Sequence, residues 1–124
     1  VALHGLESNA NATLSVDIAE AHRRNGFDVA YINFRGKSGV PNRTPGGYHL
    51  GFTDDLIHYL RVLKERDEKE RGGGDGEDGT TRRRPIYLTG YSLGSNVVLK
   101  ALGELGERAH LRYNVRGASV SDVP

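Results

Sequence analysis

The sequence predicts an α/β fold, a parallel sheet with helices on both faces, and three observations carry that reading. The segment Asp28 to Phe34, DVAYINF, is near-continuously apolar, as a strand buried on both faces of a parallel sheet must be. Segments with apolar residues at helical spacing stand between the strand-like ones. The resulting order is β, α, β, α, β, α, β, which joins parallel neighbours through right-handed crossovers. Ligands of such sheets sit beyond the carboxyl ends of the strands. Three loops emerge at that edge, at His4 to Glu7, Asn33 to Ser38 and Gly90 to Gly94.

The first strand is Val1 to Leu3, and HGLESNANA follows it as a loop. A helix comes next, with Leu14, Ile18 and Ala21 on one face and Asn11 as its expected N-cap. Gly26 stands where a helix end wants a residue with positive φ. After the strand at 28–34, residues 35–51 hold five glycines and two prolines, so a long surface loop is expected. Thr53 is the expected cap of the next helix, Asp54 and Asp55 suit the positive end of its dipole, and Leu56, Leu60 and Leu63 form its buried stripe. Residues 67–84, DEKERGGGDGEDGTTRRR, contain no apolar side chain and are expected to be a solvated helix end and a flexible charged, Gly-rich insertion. Then follow the strand PIYLT, a helix from about Leu93 to Gly103 with Val97, Val98, Ala101 and Leu102 facing inward, and a last strand in Asn114 to Asp122.

Composition narrows the function classes. With 36% hydrophobic and 27% charged residues, the 124-residue chain has the make-up of a soluble globular domain. Its 17 basic and 16 acidic residues give a formal charge of +1, which supplies no general attraction for nucleic acid. Arg82 to Arg84 face an acidic flank that nearly cancels them, and read as a solvated surface. The absence of cysteine excludes disulfides and thiolate chemistry and fits a reducing, intracellular compartment. No H-E-x-x-H and no pair of histidines at ligand spacing occurs, so neither a metal nor a cofactor is expected. Gly74 to Gly79 formally matches G-x-G-x-x-G, but it follows a charged helix and carries three carboxylates that would repel a pyrophosphate.

One stretch carries chemistry. Gly90-Tyr91-Ser92-Leu93-Gly94 fits G-x-S-x-G between a buried-type strand and an apolar helix. In that setting the turn strains Ser92, and only small residues two before and two after it allow strand and helix to approach. Ser92 is therefore the candidate nucleophile, with Gly90 and Gly94 in support. The Leu93 N–H, at the start of a helix, is placed to hold a developing oxyanion. A second donor is expected from the loop after an earlier strand, and Leu6, following His4-Gly5, is the candidate. Gly5 lets the backbone turn toward the site, and His4 is expected to brace the loop by hydrogen bonding.

The blocks LHGLESNANA, YINFRGKSGVPN, GGYHLGFTDDL, IYLTGYSLGSNVVLKALGELGE and NVRGASVSDVP resemble, in order and spacing, one subfamily of the α/β-hydrolase superfamily. It comprises the bacterial YheT proteins, the plant EMB8-like proteins and the animal ABHD1/ABHD3-type hydrolases. The resemblance covers nearly the whole chain except the Gly/Asp insertion. It implies a partial α/β-hydrolase fold, about strands three to six of eight, with Ser92 as nucleophile and Leu93 and Leu6 as oxyanion donors. It also implies hydrolysis of carboxylic esters, of medium-chain, acylglycerol or phospholipid type, with ester formation by acyl transfer in some members; membrane association of the parent protein is not readable from these residues. Two departures stand out: Ser95 where the family has Gly or Ala, expected to be tolerated, and Asp122 where it has a small neutral or thiol residue, expected to be a solvated turn carboxylate.

A serine hydroxyl needs a base, and the base an orienting acid, in the chain order Ser, acid, His for this architecture. Only His110 follows Ser92, on the wrong edge to reach it; His22 and His58 fall in helices, and His49 lies in the long loop where it could approach the site edge. The chain is therefore expected to be a fragment of a catalytic domain that lacks the catalytic His and Asp, inactive alone and poorly folded without its neighbouring strands. A non-catalytic binding module on the same scaffold is the alternative.

Overall fold

A computed structural model describes residues 1–71 and 83–124. The chain runs β1 (Ala2–Leu3), α1 (Thr13–Arg24), β2 (Tyr31–Ile32), α2 (Asp54–Arg71), β3 (Ile86–Tyr91), α3 (Leu93–Leu105), α4 (Arg108–Leu111) and β4 (Val115–Ser121). The four strands form one sheet in the order β2-β1-β3-β4, every pair parallel. The predicted α/β architecture is present, with the short α4 added between α3 and β4. The part of the expected flexible insertion at 72–82 lies outside the described residues. No helix among the described residues is long and apolar enough to cross a membrane.

The core lies between one face of the sheet and helices α2 and α3. Leu3, Leu88 and Val115 from the strands meet Leu56 and Leu60 of α2 and Val97, Val98 and Ala101 of α3, all of them buried. The stripes read from sequence therefore exist, although Leu102 is only half-buried against this core and Leu63, also half-buried, lines a hollow beside Phe27 and Tyr87 instead. Helix α1 belongs to the opposite side, where Leu14 and Ser15 share a pocket with Tyr31 and Tyr91. Its predicted buried face differs: Leu14 is 47% exposed and Ser15 is the helix's buried residue.

Several boundaries move for identifiable reasons. The strand expected over 28–34 keeps only Tyr31 and Ile32 in the ladder, because the chain turns its polar groups to the neighbouring loop. The Phe34 N–H donates to the His4 ring at 3.1 Å, and Asn33 Oδ1 accepts the Ala10 N–H at 2.8 Å. Asn11 does not cap α1; Ala12 occupies that position without a side-chain bond, and the Ser15 hydroxyl donates to the Asn9 carbonyl at 2.7 Å. The expected end at Gly26 is borne out, with φ +89° and paired bonds from the Gly26 N–H to Arg23 O and the Phe27 N–H to His22 O that satisfy the last carbonyls. Helix α3 continues past Gly103 to Leu105, and the turn comes at Gly106, φ +53°.

Thr53 opens α2 through its carbonyl, which accepts the Ile57 N–H at 3.0 Å. Its hydroxyl is used elsewhere, donating to Glu104 on α3 at 2.8 Å. Two neighbouring contacts join the same helix to the long loop: the Gly51 N–H donates to Asn96 Oδ1 at 2.7 Å, and Lys100 Nζ donates to the Gly51 carbonyl at 3.0 Å. Arg35 holds the other end of that loop, bidentate on Asp55 and stacked over the Phe52 ring at 4.6 Å.

Ser95 has a larger part than a tolerated small residue. Fully buried, its hydroxyl lies 2.7 Å from the Gly90 carbonyl and 2.6 Å from the Ser121 carbonyl, and accepts the Ser121 N–H at 3.1 Å. It ties α3 to the ends of β3 and β4. We expect Ser95→Ala to lower the unfolding free energy by about 1–3 kcal/mol, because it strands buried backbone groups. Chemical denaturation of the protein as the cell makes it would read this as a lowered midpoint.

Candidate active site

The site sits where the strand order reverses. From β1 the chain crosses to β2 on one side, and from β2 it crosses back over β1 to β3 on the other. The crevice beyond the carboxyl ends of β1 and β3 is thus the topological switch point of the sheet, the general place for a ligand in an open α/β sheet. His4-Gly5-Leu6 leaves β1 there and Ser92 leaves β3 there.

Ser92 stands between β3 and α3 with φ +52° and ψ −118°, a region costing a non-glycine residue of order 1–3 kcal/mol. Three backbone bonds fix it. Its N–H donates to the Ser121 carbonyl at 3.0 Å, and its own carbonyl accepts from Ser95 N–H at 2.9 Å and Asn96 N–H at 3.2 Å. The glycines on either side permit the geometry. A Cβ on Gly90 would lie 2.5 Å from the Gly94 carbonyl, and one on Gly94 would collide with the backbone oxygens of Leu3 and His4. A Cβ on Gly5 would approach the Ser92 Cβ to 3.4 Å, so the loop after β1 passes directly against the serine.

The oxyanion candidates are placed differently from each other. Leu93 is the first residue of α3 and is buried; its N–H is one of the donors that a helix start leaves without an intrahelical partner. Leu6 is exposed, in a turn closed by the Ser8 N–H on the Gly5 carbonyl at 3.3 Å. Neither N–H makes a hydrogen bond to another described residue, and neither does the Ser92 hydroxyl. A pocket of about 150 Å³ opens here, walled by His4, Gly5, Leu6, Leu14, Tyr91 and Ser92 among others. A larger hollow of about 920 Å³ lies elsewhere, along Phe27, Tyr87 and Gly117, and does not include the serine.

His4 braces the turn. It is buried, its Nδ1 lies 2.7 Å from the Gly5 carbonyl, and its Nε2 takes the Phe34 N–H at 3.1 Å. An acceptor at Nε2 requires the neutral ring with its proton on Nδ1. Burial holds its pKa below the ordinary histidine value, reinforced by the Lys37 charge and opposed by the Gly5 bond. With both nitrogens engaged, His4 is unsuited to act as a base.

No other histidine approaches Ser92 among the described residues. His49 is exposed, with Nδ1 2.6 Å from the Leu50 carbonyl and its ring against Phe52, outside the serine pocket. His22 packs edge-on against Phe27, His58 is exposed on α2, and His110 is exposed on α4 before β4 begins. Asp122 is exposed at the end of β4 with φ +51°. Among the described residues no group of three or more His, Cys, Asp or Glu side chains could hold a metal.

Sequence reasoning gave Ser95 only as a tolerated small residue, missing its part in the core, and did not single out Tyr48, whose hydroxyl accepts the Glu7 N–H at 2.9 Å in the turn that carries Leu6. A polar residue on the inward face of an apolar helix was a signal for the first. The second, in a glycine-rich loop, carried none.

Among curated proteins, the chain is similar to "Putative esterase YheT" of Escherichia coli (strain K12), 34% identical over 106 residues that span 86% of this chain and 27% of the relative. It is also similar to "Embryogenesis-associated protein EMB8" of Picea glauca, 26% identical over 105 residues that span 85% of this chain and 20% of that protein. The chain spans about a quarter of the length of these relatives. The two similarities point to a relationship with the α/β hydrolases. No family model matches the chain, and no solved structure matches it significantly.

Two expectations follow from the site. Gly90→Ala and Gly94→Ala should each cost about 3 kcal/mol or more, since the new Cβ meets backbone that cannot swing aside; thermal unfolding would show it. His4 has a folded pKa below its unfolded value near 6.5. Below that pH the unfolded chain binds the extra proton first, so this contribution is full above about pH 6.5 and is lost as pH falls toward the folded pKa. The melting temperature should fall less steeply between pH 7 and pH 5 in His4→Asn than in the unsubstituted protein.

Proposed function

We propose that the chain is the nucleophile-bearing part of a serine hydrolase of carboxylic esters, acting through an acyl-enzyme on Ser92. The observation that carries the reading is the strained strand–Ser92–helix turn, pressed against the His4-Gly5-Leu6 loop at the switch point of a parallel sheet. The similarity to "Putative esterase YheT" of Escherichia coli supports the same chemistry.

In this reading Ser92 Oγ attacks the ester carbonyl carbon and gives its proton to a base. The tetrahedral oxyanion accepts hydrogen bonds from the Leu93 and Leu6 N–H groups, at the positive end of the α3 dipole. Collapse breaks the bond to the alcohol, which leaves with a proton from the base. Water, activated by that base, then attacks the acyl-enzyme, releasing the carboxylic acid and restoring Ser92. No described histidine is placed for the base role, so the base and its orienting acid come from the rest of the protein. Medium-chain, acylglycerol and phospholipid esters are the substrate types to test first, with an alcohol replacing water in acyl transfer.

A serine-directed fluorophosphonate should label the protein as the cell makes it, and Ser92→Ala should abolish the labelling while lowering kcat on esters by on the order of 10⁴-fold or more. Equal labelling of the variant would overturn the assignment.

A further inference from the structure

The turn that carries Leu6 is strained, and one side chain from far along the sequence holds it. Glu7 occupies the third position of the Gly5–Ser8 turn with φ +58°, a conformation that turns usually assign to glycine. Its N–H donates to the Tyr48 hydroxyl at 2.9 Å, 41 residues away. Its carboxylate meets Lys37 Nζ at 2.6 Å, and that ammonium holds the Glu7 carboxyl below its usual range. Tyr48 is itself fixed: its ring stacks on Phe34 with centroids 5.0 Å apart and planes 7° from parallel, and stands edge-on to His4 at 6.3 Å. His4 and Phe34 are both buried, so the hydroxyl is delivered from a rigid aromatic cluster.

Without that acceptor, the Leu6–Glu7 peptide can rotate to relieve the positive φ at Glu7. The rotation changes the backbone of Leu6, which lines the same pocket as Ser92. An exposed ion pair such as Lys37–Glu7 stabilises by roughly 0–1 kcal/mol, too little alone to offset strain of order 1–3 kcal/mol. The hydroxyl is then the deciding contact.

We infer that Tyr48 is a positioning residue: through the Glu7 N–H it locks the strained turn that presents the Leu6 amide to the oxyanion. The inference rests on the serine hydrolase reading above. It assigns the long loop at 35–51 a role in catalysis without contact to the substrate.

Tyr48→Phe removes the hydroxyl and keeps the stacked ring. In the protein as the cell makes it, kcat on a short nitrophenyl ester should fall about tenfold, the loss of one hydrogen bond's worth of oxyanion stabilisation, with KM changing less than about twofold. Adding Glu7→Gly, which accepts positive φ without a clamp, should recover most of that kcat, a rescue that simple loss of packing would not show. An unchanged kcat in Tyr48→Phe, or no recovery in the double variant, overturns the inference. If Tyr48→Phe does not fold, Glu7→Val carries the test: it keeps the hydroxyl, makes positive φ costlier and should lower kcat similarly, and an unchanged kcat overturns the inference. Fluorophosphonate labelling separates the two levels. A wild-type protein that does not label removes the hydrolase reading, whereas labelling of Ser92 with equal kcat in wild type and Tyr48→Phe removes only the role of Tyr48.

Discussion

The structure depends on the close approach of β3 to the first turn of α3. Gly90 and Gly94 leave no space for a Cβ, and the backbone oxygens of Leu3 and His4 occupy the far side of the same gap. This crossing does three things at once. It holds Ser92 at positive φ, it seats α3 on the sheet so that Val97, Val98 and Ala101 close the core, and it brings β1's exit loop against the serine. A hydrogen atom in place of each side chain is what makes room for all three, and no flexible neighbour is available to yield.

Strain concentrated at this crossing is balanced by hydrogen bonds from its surroundings. The Ser92 N–H and the Ser95 hydroxyl both reach Ser121 at the end of β4, so the outer strand secures the serine turn even though it contributes no candidate catalytic group. Non-glycine residues at positive φ occur at both halves of the site, Glu7 and Ser92, and each is held by backbone or side-chain bonds from distant parts of the chain. Local strain of this kind persists only where the surrounding structure over-determines it.

The long loop after β2 binds the two ends of the molecule's upper edge together. Arg35 and Gly51 anchor it to α2 and α3, while Lys37 and Tyr48 reach back to the turn after β1. Its glycines and prolines rule out regular structure without leaving it free. Its many side-chain bonds replace the backbone ladder that a helix or strand would have supplied.

Much of this was legible in the residues. The strand and helix alternation, the stripes Leu56–Leu60 and Val97–Val98–Ala101, the helix stop at Gly26 and the turn around Ser92 follow from periods and small residues within one segment, which act on neighbouring atoms whatever the rest of the chain does. What depended on distant partners was not legible. The strand at 28–34 shortened because His4 and Ala10 engaged Phe34 and Asn33; the Thr53 hydroxyl left its own helix for Glu104; and Ser95 and Tyr48 took roles fixed by Ser121 and Glu7. The sequence alone determined which residues could make a strained serine turn in an α/β sheet. Only the tertiary structure decided how closely the expected His4-Gly5-Leu6 loop presses on it, because strand order places β1 beside β3, and no local pattern encodes that neighbour.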